Sequence, residues 1–272
     1  GPPALQFAGG IAGLSDIQSS LTRNQTGALN VSLFLIRGTH NFTLGGDFRR
    51  QQFNLLAQQD PRGAFTFTGA ATGSDFAGFL LGRPDAASIA FGNADKYFRA
   101  NNYDAYIAYD WRLSPKLSAN VGVRWDYLSP ISEQYGRLVN LDVTPGFGGV
   151  TPVLGSDPQG SLTGRQYPES LMEPYRNAFQ PRLALAWRPK LASSMVIRAS
   201  YGVYYDTSVY FAIANRMAQQ APLSKSLAVQ STPANPLTLA DGFRIPDGTS
   251  PNTFAVDPDF RPGYAQNWQA SL

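Results

Sequence analysis

The sequence predicts an all-β fold: an antiparallel transmembrane β-barrel segment, about seven or eight strands of a larger barrel, with long extracellular loops. Three observations predict it. Apolar and polar residues alternate with period two over runs of ten to twelve residues. Strands of soluble proteins are mostly about 5–6 residues long, whereas a tilted membrane strand needs about 9–11. Aromatics (Tyr103, Trp111, Trp125, Tyr127, Trp187, Tyr205) gather near the run ends, as interfacial girdles require. Connections alternate between short turns (38–40, 113–116, 189–194) and long loops (50–96, 129–178, 207–263), the asymmetry of outer-membrane barrels.

Each element follows from its own pattern. In residues 117–128, Leu117, Ala119, Val121, Val123, Trp125 and Tyr127 share one face, and Ser118, Asn120, Gly122, Arg124 and Asp126 share the other. Residues 97–112 precede it, with Tyr103, Ala105, Ile107, Tyr109 and Trp111 opposite Asp104, Tyr106, Ala108, Asp110 and Arg112. A second pair is 179–188 and 194–206. A third is 29–37 and 40–49, less clean because Phe34 and Ile36 fall on the polar face. Residues 264–272 read as the first half of a fourth. Strands 29–37, 97–112, 179–188 and 264–272 then run toward the periplasm, and 40–49, 117–128 and 194–206 run away from it. Residues 4–14 are read as one more upward strand.

Within loop 50–96, Ser74 or Asp75 caps one or two helical turns that stop at Gly82 before Pro84, with Phe76, Phe79 and Leu80 on one face. Residues 64–68 read as a short strand into which the barrel wall extends. Loops 129–178 and 207–263, rich in Pro, Gly, Asn, Ser and Tyr, lie where ligand contact or a solvated cap is expected.

Composition narrows the function. The 272 residues include 22 basic and 19 acidic side chains, a net charge of +3, and 15% charged residues against about 25% in typical soluble domains. The basic residues are scattered, so no nucleic-acid footprint is expected. No run approaches about 18 consecutive apolar residues, the length of a membrane helix. The mean hydropathy of −0.21 suits barrel strands, where alternate residues face lipid. The chain opens Gly1-Pro2-Pro3 without an initiator Met or signal peptide and stops within an expected strand, so both ends read as cut. The whole of 1–272 is expected to be one piece of a single barrel domain.

Chemistry is sparse. Cysteine is absent, so thiolate nucleophiles, disulfides and Cys-based zinc sites are not expected. The single histidine, His40, reads as a turn residue at the end opposite the long loops, far from any nucleophile there. Asp257-Pro258-Asp259 and Asp241-Gly242 lack the spacing of a calcium loop, and Gly146-Phe147-Gly148-Gly149 lacks the strand–loop–helix context of a phosphate cradle. No catalytic residue, cofactor or metal ligand is assigned, and the protein is not expected to be an enzyme. The candidate site is instead the charged set on the polar strand face: Asp104, Asp110, Arg124, Asp126, Arg182, Arg198 and Asp206. On the lipid face an Arg at midplane costs about 2–4 kcal/mol. Facing a lumen, these groups can pair with one another, hold the wall, or dock a plug or ligand.

Four blocks in order carry a family resemblance. They are Gly45-Gly46-Asp47-Phe48-Arg49-Arg50; Phe76-Ala77-Gly78-Phe79-Leu80-Leu81-Gly82-Arg83-Pro84; Tyr106-Ile107-Ala108-Tyr109-Asp110-Trp111-Arg112-Leu113-Ser114-Pro115-Lys116-Leu117 running on to Tyr127; and Asn177-Ala178-Phe179-Gln180-Pro181-Arg182 followed by residues 198–206. From about residue 24 to 272 the chain resembles the barrel of TonB-dependent outer-membrane receptors, in particular the Oar-like group. Gly78 stands where that group commonly has an acidic residue. The resemblance implies an internal piece of a 22-strand barrel, a bacterial outer-membrane location, and a parent that binds and imports a scarce solute. It implies coupling to the TonB complex through a plug not in this chain. The expected partners are outer-membrane lipid and an unnamed solute or surface ligand. The alternative is a small stand-alone outer-membrane barrel with a structural or adhesive role.

Overall fold

A computed structural model describes residues 2–15, 20–189, 195–244 and 253–272. In chain order its strands begin β1 (Ala4–Phe7), β2 (Leu21–Arg37), β3 (His40–Leu56), β4 (Asp60–Phe67) and β5 (Ala86–Phe91). They continue β6 (Asp95–Ser114), β7 (Leu117–Leu128), β8 (Ser132–Glu133), β9 (Val139–Val143) and β10 (Val150–Leu154). The last are β11 (Tyr175–Trp187), β12 (Ile197–Tyr205), β13 (Lys225–Gln230) and β14 (Tyr264–Ser271). The helices are α1 (Asp75–Leu80) and α2 (Val209–Ala218).

The wall is an antiparallel sheet of order β14-β12-β11-β7-β6-β3-β2. All seven expected wall strands are present and neighbour one another in that sheet. It is open in the described residues, with β2 and β14 at its edges.

Register aligns the alternation of every strand. One row runs Leu35, Phe42, Tyr109, Val121, Leu183, Tyr201, Trp268, and the row two residues away runs Leu33, Leu44, Ile107, Val123, Pro181. Because the side-chain period is two, a slip of one residue in any pair would break these rows. Leu29, Val31, Leu33, Val121, Leu183 and Trp268 are all exposed on this face. An apolar face this wide requires a cover, and the bilayer supplies it.

Aromatic girdles bound the band. Phe48 packs on Tyr103 at 5.0 Å and Tyr103 on Tyr127 at 5.8 Å at one border. At the other, Leu117 stands opposite Trp187. From Tyr127 to Leu117 is about 34 Å along β7, or about 26 Å of depth at a tilt near 40°, which matches the ~25 Å apolar band of outer-membrane barrels.

Strand lengths depart from expectation by two or three residues at the tight-turn end, where β6 reaches Ser114 and β12 begins at Ile197, and by more at the other. The β2–β3 turn at residues 38–39 and the β6–β7 turn at 115–116 are tight, whereas residues 190–194 of the third turn lie outside the described residues. At the opposite end β3 runs to Leu56 and β6 begins at Asp95, so the hairpin rises beyond the bilayer. Its outward face there carries Arg50, Gln52, Asn54 and Arg99, polar because it meets water rather than lipid.

Two expectations fail. Residues 4–14 do not add a wall strand, and residues 64–68 do not extend the wall. Instead β1 pairs in parallel with β4 in a separate sheet of order β1-β4-β5-β13. Apolar burial decides this: Phe65, Phe67 and Ala87 form a small core with Leu5, Phe7, Phe79, Leu237 and Phe243. A short segment that can stack Phe7 on Phe67 at 5.5 Å gains more there than as a lone strand in lipid. The α1 helix is capped by Ser74 as expected, and Gly82 beyond it takes φ +66. Its inward face differs from expectation. Asp75 and Gly78 are buried and Phe76 is exposed, because the Asp75 carboxylate accepts the Gly9 backbone N–H.

Candidate functional site

The polar face of the wall carries a connected lattice of side chains. Asp47, Asp104 and Asp126 stand in one cross-strand row, with Arg124 in the next. Three carboxylates side by side repel, and Arg124 answers them. Its Nη2 donates to Asp104 Oδ2 at 2.6 Å and its Nε to Asp126 Oδ1 at 2.8 Å. Gln180 Nε2 donates to the second Asp126 oxygen, and Asn30 Nδ2 donates to Asp47 Oδ1 at 2.5 Å. Tyr106 lies in the same layer over Gly45, where a Cβ would meet its ring at 2.5 Å. Asn30, Asp47, Tyr106, Arg124 and Arg182 surround a recess of about 420 Å³.

The remaining expected site residues are dispersed. Asp110 accepts from Asn120 Nδ2 at 2.5 Å, two rows beyond Arg124 toward the tight turns. The Arg182 guanidinium stacks 4.9 Å from the Tyr204 ring centroid. Arg198 lies in the last row, with Arg112 and Ser118. Asp206 sits outside the lattice. It lies one residue past β12 and accepts from the Ser208 N–H at 2.8 Å and hydroxyl at 2.9 Å, setting the turn into α2. Those two hydrogen bonds hold its carboxyl below the ordinary value of 3.8.

Above the lattice, the long loops are folded rather than merely solvated. Phe98, Leu128 and Ala178 of the wall share one core with Leu138, Val153, Tyr167, Leu171, Met172 and the α2 residues Tyr210, Ile213, Ala214 and Met217. Phe211 of α2 meets Phe53 at 5.0 Å and Phe98 at 5.8 Å, both edge-on. Because Phe98 and Ala178 project from the polar side of the sheet, the cap lies over that side.

Buried polar groups lock the cap. Asn140 donates to Leu171 O and Val256 O and accepts from Val256 N, across 116 residues of chain. Gln220 bonds Val139 O at 2.7 Å and Phe254 N at 2.7 Å. Lys96 Nζ, fully buried, donates to Ala57 O, Asn93 O and Ala94 O at 3.0–3.3 Å.

Two buried carboxylates sit within the cap. Burial works to raise Asp142, but the Thr163 hydroxyl and the Thr163 and Leu162 N–H groups hold it below its ordinary 3.8, with Tyr167 OH adding a bond at 3.0 Å. Burial likewise opposes ionisation of Glu133. Arg137 and the N–H groups of Arg137, Tyr97 and Tyr135 outweigh it and hold Glu133 below 4.5. Tyr210, buried with no hydrogen-bond partner for its hydroxyl among the described residues, is pushed up to about 12. The pairings of Asn140 with Val256, Gln220 with Val139 and Asp142 with Thr163 gave no signal in sequence, because the partners lie 21 to 116 residues apart.

Among the described residues no three His, Asp or Glu side chains converge as metal ligands would. The lattice offers ion-pairing and hydrogen-bonding groups to whatever polar groups face it.

A family model described as an outer membrane beta barrel domain matches residues 1–272. No curated protein and no solved structure matches the chain.

Proposed function

The chain belongs to the outer membrane beta barrel domain family and resides in the bacterial outer membrane; on that premise we propose that it is the barrel portion of a TonB-dependent receptor that binds and imports a scarce solute. One observation carries the reading: a folded cap of long loops lies over a polar lattice, on a wall whose other face is apolar. A wall alone needs no structured cap. A solute path needs a selective mouth and a polar lining beneath it.

The open edges of the sheet agree with this. Unpaired backbone groups on β2 and β14 in lipid cost several kcal/mol each, so further strands pair with them in the parent. In this reading the plug occupies the lumen and contacts the TonB complex, the polar lattice faces the plug and the solute, and the segment is not catalytic.

The test begins with native size. An antibody to residues 207–263 should detect a band of about 100 kDa or more in outer-membrane fractions, the size of a ~22-strand barrel with a plug. Deleting this gene or the TonB gene should then produce the same growth defect when the solute is limiting. A membrane band near the 29.5 kDa of this chain overturns the import reading in favour of a small structural or adhesive barrel. A surface-adhesion defect independent of TonB does the same.

A further inference from the structure

The loop cap contains a cleft of about 700 Å³. That lies within the 300–1,000 Å³ range of small-molecule sites. Leu141, Val143, Pro145, Leu162, Val256 and Pro258 line it. At its mouth stands Phe147, 82% exposed and held at φ +58 beside Gly146 at φ +73. A phenylalanine in the left-handed region costs backbone energy, and an exposed ring returns none of it through burial.

The polar groups of the cleft are largely engaged elsewhere. Tyr167 OH and the Thr163 hydroxyl both donate to Asp142, at 3.0 and 2.5 Å. The Thr144 hydroxyl donates to Gly149 O at 3.2 Å. A sugar, which needs many free donors and acceptors, is poorly served by such walls.

The charges at the rim decide the sign of the ligand. Arg165 pairs with Asp259 at 3.1 and 3.3 Å and stacks 5.3 Å from the Tyr167 ring centroid. Glu173 acts on Arg165 as a further negative charge. Asp257 lines the cleft, is exposed, and has no cationic partner among the described residues; its Oδ1 accepts only the Asp259 N–H at 2.9 Å. Once Arg165 is neutralised by Asp259, the rim is net negative. The face of the Phe147 ring also attracts a cation.

We propose that this cleft binds a small apolar cation, its ring or chain against the apolar walls and Phe147 and its positive charge at Asp257. The proposal goes beyond import: the cleft would bind this class whether or not transport follows, and its test reads binding alone.

Three probes with one ring system separate the contributions: tryptamine (cationic), indole (neutral) and indole-3-acetate (anionic). Each is titrated by calorimetry into the full-length protein in detergent, with protein-free micelles as the blank. Tryptamine should bind about fivefold or more tightly than indole-3-acetate. Asp257→Asn keeps the acceptor for the Asp259 N–H and should remove most of that preference. Phe147→Ala should weaken tryptamine about threefold or more. Equal affinity for all three probes, preference for indole-3-acetate, or no saturable binding overturns the proposal. So does a tryptamine preference that survives Asp257→Asn.

Discussion

Replacing Val121 with Arg should disrupt membrane assembly, while Arg at its neighbour Asn120 should not. Val121 lies on the apolar face of β7, opposite Tyr109 on β6 and Leu183 on β11. The bilayer band on β7 runs from Tyr127 to Leu117, so Val121 is one residue from its centre. The nearer interface is then about 10 Å away, too far for a guanidinium to reach without thinning the bilayer. The cost at such a depth is about 2–4 kcal/mol; taking about 3, the folded fraction falls more than 100-fold relative to unfolded chain. Asn120 points to the other face and donates to Asp110. Arg there keeps a partner in the same carboxylate, and the change should stay within about 1 kcal/mol. The assay is urea titration of the full-length protein in lipid vesicles, read by the heat-modifiable gel band. Equal losses for the two variants, or a larger loss for Asn120→Arg, would refute the assignment of faces and with it the registered rows.

Three further predictions follow from the lattice and the cap. Arg124→Ala leaves Asp104 and Asp126 facing each other without their shared cation. With Arg124 28% exposed, the loss should be about 2 kcal/mol, below the 3–5 of a fully buried pair, and an unchanged melting temperature in detergent would argue against the lattice. Phe211→Ala removes both edge-on contacts of α2 with the hairpin and should cost the cap about 1–2 kcal/mol. Protease should then cut residues 207–230 faster while the wall's heat-modifiable band is retained; loss of both together would show that cap and wall are one cooperative unit. Finally, Glu133 and Asp142 titrate in the cap below their ordinary 4.5 and 3.8, so the folded cap binds fewer protons than the unfolded chain. Their stabilisation is present above those ordinary values and is lost as pH falls through the lower folded ones. Amide exchange of residues 138–143 and 160–167, corrected for intrinsic rates, should lose protection below about pH 4; constant protection down to pH 3 would count against this role.

Much of the wall was legible in the chain and little of the cap was. Residues 117–128 announce a membrane strand, its two faces and its girdle aromatics, because strand geometry sends alternate side chains to opposite sides whatever the neighbours are. The same holds for the other wall strands, β2 less cleanly because Phe34 and Ile36 fall on its polar face, and for the Ser74 cap and the turns at 38–39 and 115–116. Pairing in the lattice was half legible. Alternation places Asp104, Arg124 and Asp126 on one face, but only the register of β6 against β7 brings them within 2.6–2.8 Å. Asp206 shows the limit: its parity matches the lumen set, yet the strand ends one residue earlier and the side chain turns to Ser208.

What the sequence by itself determined is therefore the wall, an apolar face of bilayer height backed by a polar one, because that information is local and repeats every second residue. What only the tertiary structure decided is how far β3 and β6 rise past the membrane, that β1 joins β4 rather than the wall, and that two long loops meet in a core. Those outcomes rest on contacts such as Asn140 with Val256 and Gln59 with Ser224, 116 and 165 residues apart. No period in the chain encodes them: they arise when apolar loop residues, excluded from water, find their partners across the mouth of the sheet.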